Sequence, residues 1–150
     1  MARVLAFDAE SDGLWGQPFA IGAILVDEAG VELARFARRM PDDVVTDAWV
    51  KAHVLPQLAP WPVESHCTAY GRLLLEFSTW YAKHKVGAEV VAHMGYVVEA
   101  RLLRDMHAGG FIGDWDGPFP LFDVSGPLQA LGENPLSTDA YLLKHGLKVP

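Results

Sequence analysis

The stretch Val4-Leu5-Ala6-Phe7-Asp8-Ala9-Glu10-Ser11-Asp12-Gly13-Leu14 governs the reading of the whole chain. A short apolar run delivers two carboxylates two residues apart. Side chains at i and i+2 of a strand share one face and stand about 6 to 7 Å apart by strand rise. Asp8 and Glu10 therefore converge at the end of the strand. Two such groups near a buried strand lose hydration and repel each other, at several kcal/mol per ion, unless something positive lies between them. A hard divalent cation meets that need. All-oxygen donors suit magnesium or manganese, whereas zinc would call for His or Cys at ligand spacing. The same residues also suit an ordinary polar turn over 10–13, so a bare D-x-E does not decide by itself.

The 150 residues, 51% of them hydrophobic, suit one compact domain over 1–150 with a real core. No low-complexity tract or internal repeat interrupts it. The N-terminus lacks a basic region followed by a long apolar stretch, and no run approaches the roughly 18 to 20 residues that span a bilayer. The expectation is a soluble, cytoplasmic protein without membrane partners. Its single cysteine, Cys67, fits a reducing compartment and a packed thiol in a helix. Twelve basic against nineteen acidic residues give a net charge of −7. That disfavours electrostatic coating of nucleic acid, but not an enzyme whose metal ions meet the phosphates.

After the opening strand, β-forming residues at 19–26 and a partly alternating run at 31–38 flank the turn Asp27-Glu28-Ala29-Gly30, which predicts a hairpin. Thr46 is the expected cap of a short helix ended by Pro56. Trp49 and Trp61 suit either the edge of the core or stacking on bases. Ser65 is the expected cap of the next helix, in which Tyr70, Leu73, Leu74, Phe77, Trp80 and Tyr81 fall on one face. Lys83, His84 and Lys85 in its last turn complement the helix dipole. Val90-Val91-Ala92 predicts a buried strand, 96–108 a helix, 120–124 a strand, and Ser137 the cap of a final helix over 138–145. This order predicts an α/β fold with a mixed sheet, its functional groups outside the carboxyl ends of strands.

With that order in place, the sequence resembles the DnaQ-like 3′-5′ exonucleases of the ribonuclease H-like superfamily, whose metal ligands follow a DEDD pattern. The stretch Phe7-Asp8-Ala9-Glu10-Ser11-Asp12-Gly13-Leu14 is similar to that family's first motif, and Ile21-Gly22-Ala23 and Val90-Val91-Ala92-His93 resemble its layout. The likeness runs over essentially the whole chain. It implies a five-stranded mixed sheet, the first three strands antiparallel and the rest parallel, with helices on both faces.

The family's second motif reads His-Asn, two residues, then Phe-Asp. The matching segment here is His93-Met94-Gly95-Tyr96-Val97-Val98-Glu99, with Met94 in place of the asparagine and Val98 at the strict aspartate position. Glu99, one place later, carries the same charge on a longer stem. It suits a metal ligand, or an acid favoured by the helix dipole alone. The third motif, a histidine or tyrosine shortly before a final aspartate, is not found; Asp123 and Asp139 are poor substitutes. Lys148-Val149-Pro150 reads as the entrance to another segment, where the family's last helix belongs.

The resemblance implies hydrolysis of a phosphodiester at a 3′ end by two Mg2+ or Mn2+ ions about 3.5 to 4 Å apart. Asp8 would bridge them, Glu10 would hold one, and Glu99 would be the third carboxylate. Ser11, Asp12 and Gly13 would meet the terminal nucleotide, with Leu14 wedged against its base. His93 would sit beside the substrate as a packing or hydrogen-bonding residue and not as a ligand. The expected partners are 3′ ends of single-stranded DNA or RNA, bound with little sequence preference. A homodimer through Trp49, Trp61 and Trp115 is a further option. The rival reading is a DnaQ-like domain that binds nucleic acid or protein but no longer cuts. A haloacid-dehalogenase-like phosphatase would want an aspartate where Glu10 stands. A glycosidase would need acids flanking a sugar, which one strand face does not provide.

Overall fold

The computed structural model describes residues 3–62 and 65–149. The first strand, β1 (Arg3–Ser11), turns Leu5, Phe7, Ala9 and Ser11 to the buried side, and Asp8 and Glu10 to the other. Strand β2 (Pro18–Val26) returns antiparallel, with Phe7 opposite Ala23 and Asp8 opposite Gly22. Strand β3 (Glu32–Arg39) continues the meander. The turn between them closes on Asp27, whose carboxylate accepts the Ala29 and Val31 amides, both at 2.9 Å. Gly30 supplies the positive φ of 80° that the turn requires.

Two short helices follow, α1 (Ala48–His53) and α2 (Leu55–Leu58), and then the long α3 (Tyr70–His84). Strand β4 (Ala88–Ala92) joins β1 in parallel, with Leu5 opposite Val90 and Ala6 opposite Val91. Helix α4 (Val98–Ala108) leads to the two-residue β5 (Phe122–Asp123), parallel to β4. Helices α5 (Ser125–Ala130) and α6 (Thr138–Lys144) complete the described elements. The sheet order is β3-β2-β1-β4-β5, antiparallel and then parallel, as the resemblance implies.

The core lies where α3 and α4 cover one face of this sheet. Phe77 of α3 meets Phe7 and Phe36 at ring-centroid distances of 5.8 and 5.3 Å. Leu102 and Met106 of α4 are fully buried. Truncating a residue such as Phe77 in a core of this kind costs about 3–5 kcal/mol. On the opposite face is an open groove of about 620 Å³, lined by Ala6, Asp8, Gly22, Ile24 and His93, with Thr138 of α6 also in its wall.

Several local expectations are corrected. Thr46 does not cap α1; Asp47 does, accepting the Val50 amide at 2.9 Å, while Thr46 donates its hydroxyl to Asp12. Ser65 is not the cap of α3. It is buried and donates to the Pro62 carbonyl, whereas Ala69 occupies the cap position with no side-chain bond. Helix α4 starts at Val98 and not at 96, and the strand expected over 120–124 shrinks to two residues. Helix α5 lies in a segment for which the sequence reading assigns no element. Pro127 falls in the first turn, where its missing N–H costs nothing. Ser137 does cap α6, accepting the Ala140 amide at 3.1 Å.

Candidate active site at the end of the first strand

The pairing of β1 leaves a gap in the sheet where its acids stand. Strand β4 pairs with β1 only as far as Val91 opposite Ala6. Beyond that point the Ala9 amide donates to Glu99 Oε1 at 2.9 Å, so a side chain from the first turn of α4 takes the place of a strand neighbour. Glu99 is only 4% exposed. This contact brings the third carboxylate of the set to β1, within hydrogen-bonding reach of the Asp8 carboxyl.

The electrostatics follow from that crowding. Burial pushes Asp8 up from its ordinary range, against the lowering effects of a hydrogen bond with Glu99 and of nearby His93. Glu10 is pushed up to about 7 by burial and then by the charge of Asp8. Glu99 is raised mainly by burial, with the Asp8 charge adding to it. Burial thus disfavours the charge on each of the three acids, as expected where a positive group is to be received. Opposite Asp8 stands Gly22, above whose Cα lies open space, so Asp8 keeps solvent contact despite its desolvation.

Among the described residues no group of three or more His, Cys, Asp or Glu side chains is arranged to hold a metal ion. The chemistry of the donors fits a hard divalent cation, since Asp8, Glu10 and Glu99 offer only carboxylate oxygens. As placed, however, they do not close around one.

The residues assigned to the substrate have mixed surroundings. Ser11 is buried and donates its hydroxyl to the Gly13 carbonyl at 2.7 Å. Gly13 has φ of 75°, and a Cβ there would come within 3.3 Å of the Asp47 carboxylate. Asp12 accepts the Thr46 and Asp47 amides at 2.9 and 2.7 Å and the Thr46 hydroxyl at 2.7 Å, binding the turn to the start of α1. Leu14 is exposed. His93 bonds through Nε2 to the Pro135 carbonyl at 2.8 Å, which fits a hydrogen-bonding residue beside Asp8.

Two features escape motif spacing. Asp123, inside the expected strand, accepts the Met94, Gly95 and Ser125 amides and the Ser125 hydroxyl, so it fixes the loop that precedes Glu99. A second pocket of about 350 Å³ is lined by Trp15, Tyr96, Val97, Ala100, Arg101 and Arg104. Only the meeting of the loop after Gly13 with the start of α4 creates it. An aromatic residue just beyond the first motif is the one hint in the sequence.

No protein-family model matches the sequence, and no curated protein matches it. Solved structures do. E. coli Exonuclease I in complex with a 5cy-dT13 oligonucleotide is similar with a TM-score of 0.68 at 12% identity, over 99% of this chain and 36% of that one. The complex of the same exonuclease with a dT13 oligonucleotide gives 0.59 at 12% identity, over 88% of this chain and 30% of that one. A zinc-bound form of the E. coli ExoI-ssDNA complex gives 0.60 at 12% identity, over 88% and 30%. The chain thus spans about a third of the length of the exonuclease structures it matches. What the likeness shows is the fold, a mixed α/β sheet of the kind found in that exonuclease.

Proposed function

We propose that the protein is a metal-dependent 3′-5′ exonuclease acting on single-stranded nucleic acid. The observation that carries this reading is the placing of Asp8 and Glu10 on one face of β1 with Glu99 held against the same strand, each with its acidity weakened by burial. Acids meant only to stabilise a fold would be matched with donors or cations. Asp8, Glu10 and Glu99 would hold Mg2+ or Mn2+, which supplies an activated water and charge neutralisation on the phosphate. The Ala9 amide orients Glu99, and His93, bonded to the Pro135 carbonyl, stands beside Asp8. Ser11 and Gly13 shape the turn against which a terminal nucleotide would rest, and exposed Leu14 offers an apolar wedge.

A second reading has its own support. Glu99 is fixed to β1 by the Ala9 amide, with Asp8 beside it, a static arrangement that suits a domain that binds without cutting. Digestion of 5′-labelled single-stranded DNA and RNA with magnesium or manganese separates the two. A ladder shortening from the 3′ end, abolished by Asp8→Ala and by Glu10→Ala, is expected for the exonuclease. Cutting that survives both substitutions removes these residues from the mechanism, and no cutting by folded protein leaves the binding domain.

A further inference from the structure

Trp15 and Tyr96 are large aromatic residues left 64% and 76% exposed, yet they touch each other, with ring centroids 6.2 Å apart and planes at 82°. Paired exposed aromatics carry a hydrophobic cost that a buried pair would not, which marks them as a contact surface. Beside them α4 presents two arginines. The Arg101 guanidinium donates to the Trp15 carbonyl and lies 3.4 Å from Asp105, so it ties the loop to the helix. Arg104 has a side chain 79% exposed and reaches the same Asp105 only at 4.0 Å. In a chain of net charge −7, two guanidinium groups against one carboxylate make this corner locally positive.

We infer that the pocket formed by Trp15, Tyr96, Arg101 and Arg104 is a nucleotide-binding subsite for a single strand, with a base stacked on the aromatic pair and its phosphate on Arg104. The inference rests on the proposed nuclease reading of the adjoining carboxylates. A perpendicular aromatic pair forms a corner in which a flat ring can lie on one face and meet the other edge. An exposed guanidinium at that corner suits a phosphate, which it can bind through two N–H groups, and it also stacks on planar rings. Lysine would not serve as well. Alternating aromatic faces and cations are how single strands are held without sequence readout.

The placement of the pocket supports the assignment. Trp15 follows Glu10 through the 12–14 turn, and Tyr96 precedes Glu99 in the loop held by Asp123. Ala100, in the pocket wall, is the next residue after Glu99, which turns to the Ala9 amide instead. Consecutive helical residues point about 100° apart, so one turn of α4 serves both sites. A strand lying across the turn would meet the carboxylates with one phosphate and this corner with a neighbouring nucleotide.

The test is binding of fluorescein-labelled oligo(dT) in EDTA, where metal-dependent cutting is off, read by anisotropy alongside metal-supported digestion. Trp15→Ala is expected to weaken binding about tenfold, given what one base stack contributes. Arg104→Glu is expected to weaken it and to reduce the salt slope by about 0.7 for the lost phosphate contact. Phe119→Ala, which removes an exposed aromatic ring elsewhere, should leave binding unchanged. Trp15 and Arg104 are both exposed, so unchanged circular dichroism is expected for each variant. Wild-type affinity in both Trp15→Ala and Arg104→Glu overturns the subsite even if the protein cuts, and so does failure of the wild type to bind oligo(dT). Binding that depends on both residues in a protein that never cuts keeps the subsite and removes the nuclease reading.

Discussion

Two sets of acids lie within a few residues of each other along β1 and its neighbours, and the protein treats them in opposite ways. Asp12 and Asp123 are wrapped in donors. Bonds from the Asp47 amide and from Thr46 hold Asp12 below its ordinary range. Burial would push Asp123 up, but bonds from Ser125, Gly95 and Met94 outweigh it and bring it to about 2. Asp8, Glu10 and Glu99 are instead all raised, by burial first; the Ala9 amide serves Glu99 alone of the three, and none of them forms an ion pair with lysine or arginine among the described residues. A wrapped carboxylate holds chain segments together, while a crowded one holds electrostatic energy that a cation can relieve.

The largest effect expected from this contrast is on catalysis. Asp8→Asn keeps the shape of the side chain while removing its charge, and is expected to lower the cutting rate at least about 10³-fold. Its melting temperature should stay the same or rise, because a repelling charge has gone. A fall in melting temperature together with unchanged cutting would place Asp8 among the wrapped acids. Next in size is Asp123→Ala, which strands four donors and should destabilise the fold by about 2–3 kcal/mol in urea titration. Because Asp123 is lowered, its share of stability is present above its unfolded pKa and disappears as pH falls towards about 2.

Glu10 has the opposite sign. Its pKa is raised from 4.5 to about 7, so its contribution is full below 4.5 and is lost as pH rises through about 7. Allowing for solvent screening of a half-buried group, the metal-free protein should lose about 1–2 kcal/mol across that window. Magnesium or manganese should restore the loss in a concentration-dependent way, and Glu10→Gln should flatten the slope. A metal-free protein whose stability does not fall between pH 5 and 8 would show that the crowding is relieved by other means.

The contrast also explains what could be read without coordinates. Strand β1 and its hairpin follow from local alternation, and Asp8 and Glu10 follow from strand periodicity, because both acids belong to one element. Glu99 is legible through the likeness of 93–99 to the second motif, one place out of register, and its position in the first helical turn has the helix dipole as an equal explanation. That it serves as a strand neighbour to Ala9 depends on where β4 stops, which no local pattern encodes. Asp12 was assigned to the substrate by motif, since its bonds to Thr46 and Asp47 join segments far apart in the chain. Asp123 does lie in a strand, as the sequence predicts, but its bonds to Met94 and Gly95 are equally remote in the chain. Long-range hydrogen bonding to backbone leaves no periodic trace. Asp12→Ala accordingly is expected to cost about 1 kcal/mol, as for loss of a helix cap, with little change in the cutting rate. A large loss of cutting with intact stability would return Asp12 to the substrate.

The smallest effect concerns the loop that the wrapped acid holds. Met94 donates its amide to Asp123 at 3.1 Å and adopts φ of 53°, a left-handed conformation in which a long side chain is strained. Its side chain is exposed, so little packing is lost by changing it. Asparagine tolerates this conformation through local hydrogen bonding, and it is the residue found at this place in the motif that the segment resembles. Met94→Asn should therefore raise stability by about 0.5 kcal/mol while leaving the Asp123 bonds in place. The double substitution with Asp123→Ala tests the link. If Asp123 imposes the left-handed turn, the gain from asparagine should vanish once the carboxylate is gone, because the loop is then free to relax. A gain that persists unchanged would mean the turn is set by the junction of β4 and α4 alone, with Asp123 bonding to a conformation that already exists.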